Sequence, residues 1–390
     1  MTRKSIIFVS ILFTLAALPS EVKGSQTSAL GKRRLYFLIV GGRAALEKRF
    51  GPDFKKFYFG DHIAAMDSLL LAIAENPLEK SQIVSQTGLP AEEIDKLVSM
   101  AQSLSLIVPR DKARATTVPV FTGQEMAAIE SSLSPLGETI ASHVSAMIPQ
   151  LSDTYTKARP VGDPDWDKVA HFLVDFSLMD IAFLMGLRQL ETQKGSRQYY
   201  SEAQTTLPAF FLELGSNFTN FGCNYYSYAI SEKNIGINVS VLHGTLFNRA
   251  EILMNQYENN PELPMTLFKL TPPGSKEALL EKERKLLAGL GWLEQGKPVV
   301  PVFDINTQIK MYPQIQKAGR AAAEIVFSNF DVLVGGFQKS VYAKFFDGAG
   351  DYLQYAYHVL MYITIEKLIQ KGFLPPILQP VPKWFGTFIS

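Results

Sequence analysis

The sequence predicts a mainly helical α+β protein made of two tandem units, paired face to face about a pseudo-twofold axis within one chain. Three observations predict it. The chain repeats itself: Val118-Pro119-Val120-Phe121 recurs as Val300-Pro301-Val302-Phe303, and Gly137 recurs as Gly319, both 182 residues later. Asn76-Pro77 returns as Asn260-Pro261, and Asp165-Trp166, Ala170 and Gly186 return as Asp351-Tyr352, Ala356 and Gly372, at offsets up to 186. Duplication and fusion of one unit explains such spacing, and a fused pair presents two similar surfaces about an axis. Apolar residues recur at helical spacing through the longest segments, while short β-rich runs stop at glycines. The composition is globular: 390 residues, 47% hydrophobic and 19% charged, ample for two cores. The expected boundaries are a leader over 1–24, a first unit over 25–198 and a second, diverged unit over 199–390.

At the N-terminus Arg3 and Lys4 precede the apolar run Ile6 to Leu18, Pro19 breaks it, and Val22-Lys23-Gly24 places modest residues before Ser25. That order of charge, apolar stretch and small residue is a secretory signal cut near Gly24, so the expected location is periplasmic or secreted. The alternatives for the same run are a mis-called start codon or a buried strand. No later run is expected to reach transmembrane length. Cys223 is the only cysteine, which excludes an intrachain disulfide, and a net charge of +1 argues against a surface tuned throughout to nucleic acid.

In the first unit, Leu35 to Val40 before Gly41-Gly42 reads as a strand, with Lys56 to Gly60 as its partner. A helix follows from Ile63 to Asn76, with Met66, Leu69, Leu70 and Ile73 on one face and Asn76-Pro77 stopping it. A short helix over Glu79 to Thr87 ends at Gly88, which suits a positive-φ cap. After Leu89-Pro90, Ile94, Leu97, Val98, Ala101 and Leu104 make an amphipathic stripe, and Glu92 and Glu93 suit the positive end of its dipole. Strands at Leu106 to Val108 and Thr116 to Val118 flank a polar tip, Arg110 to Arg114.

Next, Met126, Ile129 and Leu133 form a stripe, and Ser134-Pro135 reads as the cap of another helix carrying Leu136, Ile140, Val144, Met147 and Leu151. Trp166 to Leu190 closes the unit as an apolar helix, and Gln193 to Thr206 is the expected linker. In the second unit, Ala209 to Gly215 and Asn224 to Tyr228 take the places of the first two strands. Phe247 to Asn259 and Lys276 to Leu290 supply helices, with the middle helix blurred by Pro261, Pro264, Pro272 and Pro273. A hairpin from Trp292 to Val300, long helices over Ile309 to Val334 and Tyr352 to Ile369, and an extended tail from Leu374 to Pro382 complete it.

The run Gln82-Ile83-Val84-Ser85-Gln86-Thr87-Gly88-Leu89-Pro90-Ala91-Glu92-Glu93-Ile94, continuing to Leu104-Ser105-Leu106-Ile107, resembles a winged helix-turn-helix of the small dimeric regulator type, the ArsR and MarR group. The resemblance covers about Ile63 to Phe121, and the second unit is a degenerate version of it. It implies a third helix in the DNA major groove, a wing on the phosphates and flanking helices at a dimer seam. The residue chemistry is mixed. Glu92 and Asp95 beside Lys96 and Ser99 would repel phosphate, whereas Arg110, Lys112 and Arg114 would attract it. Arg110, Lys112, Arg114 and Lys96 are therefore the candidate contacts to DNA or to a partner. Lys276, Lys282, Arg284 and Lys285 alternate with Glu277, Glu281 and Glu283, as a solvated i,i+4 face does.

The five histidines, His62, His143, His171, His243 and His358, form no metal-ligand spacing, so neither metal nor cofactor is expected. His171 and Asp175 lie four apart and could touch, and His171 reads as a satisfied core or seam histidine. Gly291 with Gly296-Lys297 has phosphate-loop spacing, but Pro298 replaces the magnesium-binding hydroxyl. Tyr225, Tyr226, Tyr228, Tyr355 and Tyr357 are candidates to line a seam groove for an apolar or aromatic ligand, against ordinary packing with hydroxyls at the surface. The expected function is an exported, non-catalytic protein that binds a protein or a small apolar ligand. A DNA-binding regulator is the alternative, and a hydrolase or transferase with an unrecognised site is third.

Overall fold

The computed structural model describes residues 13–14, 33, 35–39, 48–51, 63–158, 165–194, 209–213, 221–230, 235–244, 262–270, 278–289, 293–298, 302–303, 305–338, 345, 349–376 and 383–389. The fold is mainly helical and includes a small three-stranded antiparallel sheet.

β1 (Phe13–Thr14) lies inside the run read as a leader and pairs antiparallel with β2 (Leu35–Ile39), Phe13 facing Leu38. The expected partner strand at Lys56 to Gly60 falls outside the described residues. α1 (Ile63–Ala72) buries Met66, Leu69 and Leu70, and its buried Asp67 accepts the backbone N–H of Leu35 at 3.2 Å. The helix stops at Ala72, not Asn76. The residue before a proline is held out of the α region, so the last turn opens ahead of Pro77.

The opened turn feeds a strand that the periodicity did not predict, β3 (Leu78–Glu79). α2 (Lys80–Thr87) begins there through a capping box between Glu79 and Gln82 and ends at Gly88, whose φ of 71° is the positive value expected. α3 (Ala91–Ser103) buries the stripe Ile94, Leu97, Val98 and Ala101. β4 (Ile107–Arg110) and β5 (Ala113–Thr116) form the hairpin, and the sheet order is β3-β5-β4. The tip is shorter than expected: only Asp111 and Lys112 turn, while Arg110 and Arg114 belong to the strands.

After β6 (Val120–Phe121), α4 (Gly123–Ser145) starts at Thr122, whose hydroxyl accepts the Glu125 N–H at 3.4 Å. It runs through Ser134-Pro135 rather than restarting there. A proline inside a helix forfeits one hydrogen bond and crowds the preceding turn; burial of Leu133 and Leu136 on both sides of it keeps the helix continuous. α5 (Ile148–Ala158), α6 (Trp166–His171), a π-helix (Phe172–Ala182) and α7 (Phe183–Lys194) follow. Val169–Leu187 is, over 19 residues, long and apolar enough to cross a membrane, which corrects the expectation that no later run is; 88% of it is buried inside the protein.

β7 (Ala209–Glu213), β8 (Phe221–Ile230) and β9 (Ile235–Gly244) come next. The expected correspondence of the Ala209 strand with the Leu35 strand gives way to direct pairing, since β7 lies against β2 with Phe211 facing Phe37. The expected helix Phe247 to Asn259 lies outside the described residues. α8 (Leu263–Lys269) forms despite Pro264, which sits in its first turn where no N–H is needed. α9 (Glu281–Gly289) is followed by β10 (Leu293–Glu294) and β11 (Lys297–Pro298), joined by Gln295 and Gly296 at φ of 51° and 77°, the two positive values a tight hairpin requires.

β12 (Val302–Phe303), α10 (Ile305–Ser328), α11 (Phe330–Gln338), α12 (Ala349–Gln370) and β13 (Lys383–Ile389) complete the chain. Two four-stranded sheets result, β1-β2-β7-β6 and β8-β9-β13-β12. In the first β6 runs parallel to β7, and in the second β12 runs parallel to β13; all other pairs are antiparallel.

The core is helical. α4 lies along α12, while α10 lies along the π-helix and α7. On the α4–α12 face Glu130 is half-buried with an unpartnered Oε1, and burial, then the nearby Glu366, raise its carboxyl above the ordinary range. A carboxyl raised in the fold binds its proton more tightly there than in the unfolded chain. Its stabilising contribution is therefore full below the unfolded value near about 4.3 and is lost as pH rises through the folded one. Glu130→Gln is expected to raise the melting temperature at neutral pH and to leave it unchanged at about pH 4; a lower melting temperature at neutral pH would show that Glu130 has a stabilising role instead.

Candidate functional site

Among the described residues, one cluster of buried polar groups lies where α6 and the π-helix meet α12 and the turn after it. His171, Asp175, Asp180, Tyr357 and His358 are each under 5% exposed. The Nδ1 of His171 lies 2.7 Å from Asp175 Oδ2, and its Nε2 lies 2.7 Å from the carbonyl oxygen of Pro375. Tyr357 donates its hydroxyl proton to Asp180 Oδ1 at 2.8 Å, and its oxygen lies 3.1 Å from His358 Nε2. Because one phenol has one proton, that contact makes His358 Nε2 the donor. Phe183 stacks on Tyr357 at 5.9 Å between centroids and covers the network with apolar surface.

Local sequence explains the geometry. The i→i+5 bonding of a π-helix brings positions five apart toward one side, which is the spacing of Asp175 and Asp180. Gly372, at φ 74°, ends α12 and turns the chain so that Phe373 N–H bonds the Leu368 carbonyl at 2.9 Å. Leu374 is then buried, and the Pro375 carbonyl meets His171. Chemically, the cluster sets buried donors against buried acceptors inside the helical core.

The residues expected to touch a partner sit elsewhere. Arg110 and Lys112 are exposed on the hairpin, and Lys96 is exposed on α3. Arg114 is half-buried, with its guanidinium donating to the Ala113 carbonyl at 3.0 Å. The α3 surface beside them carries Glu92 and Glu93 in its first turn, and Asp95 is bridged by Lys80 of α2 at 2.6 Å. The mixed charges of α9 are only partly a solvated face. Glu283 is buried, paired with Lys269 of α8 at 2.9 Å and bonded to the Leu280 N–H at 2.7 Å, while Lys282 reaches Glu262. Burial pushes the Glu283 carboxyl up, but its bonds to Lys269 and Leu280 prevail and hold it below the usual range.

The candidate tyrosines divide between two elements. Tyr225, Tyr226 and Tyr228 lie on β8, opposite Ser240, Val239 and Ile237; their side chains, like that of Tyr355 on α12, are outside the described residues. Tyr357 points into the core rather than to a groove, because its hydroxyl is held by Asp180 and His358.

A polar cleft of about 320 Å³ escaped the sequence reading. It is lined by Arg33, Glu75, Asn76, Gln86, Thr122 and Gln124. Arg33 pairs with Glu213, which also accepts the Gly123 N–H at 2.6 Å. Burial raises the Glu213 carboxyl, yet Arg33 and Gly123 together hold it below its ordinary value. The pair ties β7 and the start of α4 to Arg33, two residues before β2. No pattern signals it, because Arg33 and Glu213 stand 180 positions apart. Among the described residues no three His, Cys, Asp or Glu side chains are grouped to hold a metal ion. Compared with known protein families, characterised proteins and solved structures, the chain matches none.

Proposed function

We propose that this chain is an exported, non-catalytic interaction protein, a duplicated winged-helix-like unit fused into an intramolecular pair, that binds a protein partner through its hairpin surface. The order helix, strand, two helices and hairpin over 63–116, with β3 beside β5, supports the winged-helix part. Three features support the duplication. The repeated Val-Phe strands β6 and β12 both edge four-stranded sheets, each parallel to the strand that follows a closing helix. The repeated Gly137 and Gly319 sit at helix crossings, α4 on α12 and α10 on α7. Those crossings are reciprocal, the first long helix of each half against the last helix of the other, as in an isologous dimer.

The charge on α3 carries the functional reading. A helix that enters DNA presents cations or amides to the groove, but this one sets a single exposed cation, Lys96, against Glu92, Glu93 and an Asp95 bridged by Lys80. The all-buried His–Asp and Tyr–Asp pairs favour structure over turnover, since a substrate cannot reach them without opening the core. The leader over 1–24 supports export, and a cut before Ser25 removes β1 and leaves β2 as the sheet edge. DNA binding is the second reading, favoured by exposed Arg110 and Lys112.

Fluorescence anisotropy with a labelled mixed-sequence duplex separates the two. The expected result is no saturable binding at about 50 mM salt, where phosphate contacts are strongest. Binding that weakens steeply toward about 200 mM salt, and is abolished by combining Arg110→Ala with Lys112→Ala, would establish the regulator reading instead.

A further inference from the structure

We propose that His171 is a proton-held latch that fixes the chain where α12 turns toward β13. Both ring nitrogens lie 2.7 Å from oxygens that ordinarily accept, one a carboxylate and one a backbone carbonyl. A neutral imidazole has one N–H, so it can satisfy only one of them, and its other lone pair would face an oxygen inside bonding distance. The geometry fits a site carrying one more proton than neutral imidazole plus carboxylate. That proton lies on the ring, as imidazolium against Asp175, or on the carboxyl, as an acid donating to Nδ1. Both forms have the same proton count, and in both Nε2–H donates to Pro375.

Among the described residues, several ionisable groups on neighbouring elements pair with one another, while Asp167 stands exposed on α6 one turn before His171. Asp180 bonds Tyr357, and Tyr357 bonds His358. On α5, Asp153 pairs with Lys157, and Tyr155 packs edge-on to Trp166. On α10, Arg320 pairs with Glu324, and at the end of α12 Lys371 pairs with Glu138. Asp175 is the described carboxylate at hydrogen-bond distance from the ring.

The consequence is directional. The unfolded chain sheds an imidazole proton near about pH 6.5, whereas the folded chain keeps this one. Stability from the latch is therefore full below that value and is lost as pH rises through the folded site's own titration. Within that window the equilibrium for releasing Leu374 to Pro376 shifts by about tenfold per pH unit, the slope for one proton. The segment leads to β13, which lies between β12 and β9, so release loosens the second sheet at alkaline pH and leaves it fixed at neutral pH.

Two measurements test this. Nitrogen-detected NMR of the wild-type His171 ring at about pH 7.5 is expected to show a protonated Nε2 and an Nδ1 sharing a proton with Asp175; a neutral ring whose Nε2 carries no proton overturns the proposal. Hydrogen exchange of Leu374 and of 383–389, corrected for the intrinsic base-catalysed rate, is expected to lose protection between about pH 7 and pH 9 in the wild type and to stay level in His171→Gln. The same profile in both proteins also overturns it.

Discussion

Gly319→Ala is expected to destabilise the protein by roughly 3 kcal/mol or more, and Gly137→Ala by less than half as much. A β-carbon on Gly319 would stand 2.5 Å from the Ala182 β-carbon, 2.6 Å from the Ala182 carbonyl carbon and 2.7 Å from the Phe183 nitrogen. Two of those atoms are backbone at the junction of the π-helix with α7, so relief requires moving a helix. Across the same crossing a β-carbon on Gly186 would meet Arg320 Cα at 2.9 Å, which leaves α10 no room to slide along α7. On Gly137 the 2.5 Å contact is with Cγ2 of Ile363, a side-chain atom. Its stiff χ1 resists, but it can shift by tenths of an ångström without dragging a backbone. Both changes gain about 1 kcal/mol of helix propensity, which offsets much of the smaller clash and little of the larger. Urea unfolding midpoints decide the matter: equal and small losses would mean that the α10–α7 crossing is looser than these distances require.

These two glycines also mark how far the sequence can be read. They stood out as repeated anchors, and their reason is close helix approach. The α3 stripe, the Gly88 cap and the β4–β5 and β10–β11 hairpins were legible because each depends on residues close in sequence, whereas β9, which pairs with β8, was missed. β3 was not, since two residues after Pro77 are too short for a period and acquire strand geometry only by lying against Arg114 and Ala113. β13 carries Trp384, Phe385 and Phe388 without strict alternation, and was submerged in the proline-rich tail before it. The π-helix has no composition of its own, and its apolar residues fit a helix of either pitch. At the polar cluster, the contact of His171 with Asp175 follows from spacing alone. Its other half, Pro375, is 204 positions away, and no pattern within one sequence announces that.

Asp180→Asn and Tyr357→Phe are expected to cost about 2 to 3 kcal/mol each, and the double variant much less than their sum. Tyr357 stands between a carboxylate and an imidazole N–H, all three buried. Removing the phenol leaves the His358 donor facing Asp180 across a gap, whereas removing the charge weakens a bond strengthened by its dry surroundings. Either loss strands groups that water cannot reach, and the second then removes little more. The coupling, read from the four unfolding curves of a double-mutant cycle, should be on the order of 1 to 3 kcal/mol. Strict additivity would mean that the phenol and the carboxylate are satisfied independently, and that the network contributes through apolar packing with Phe183 rather than through ordered protons.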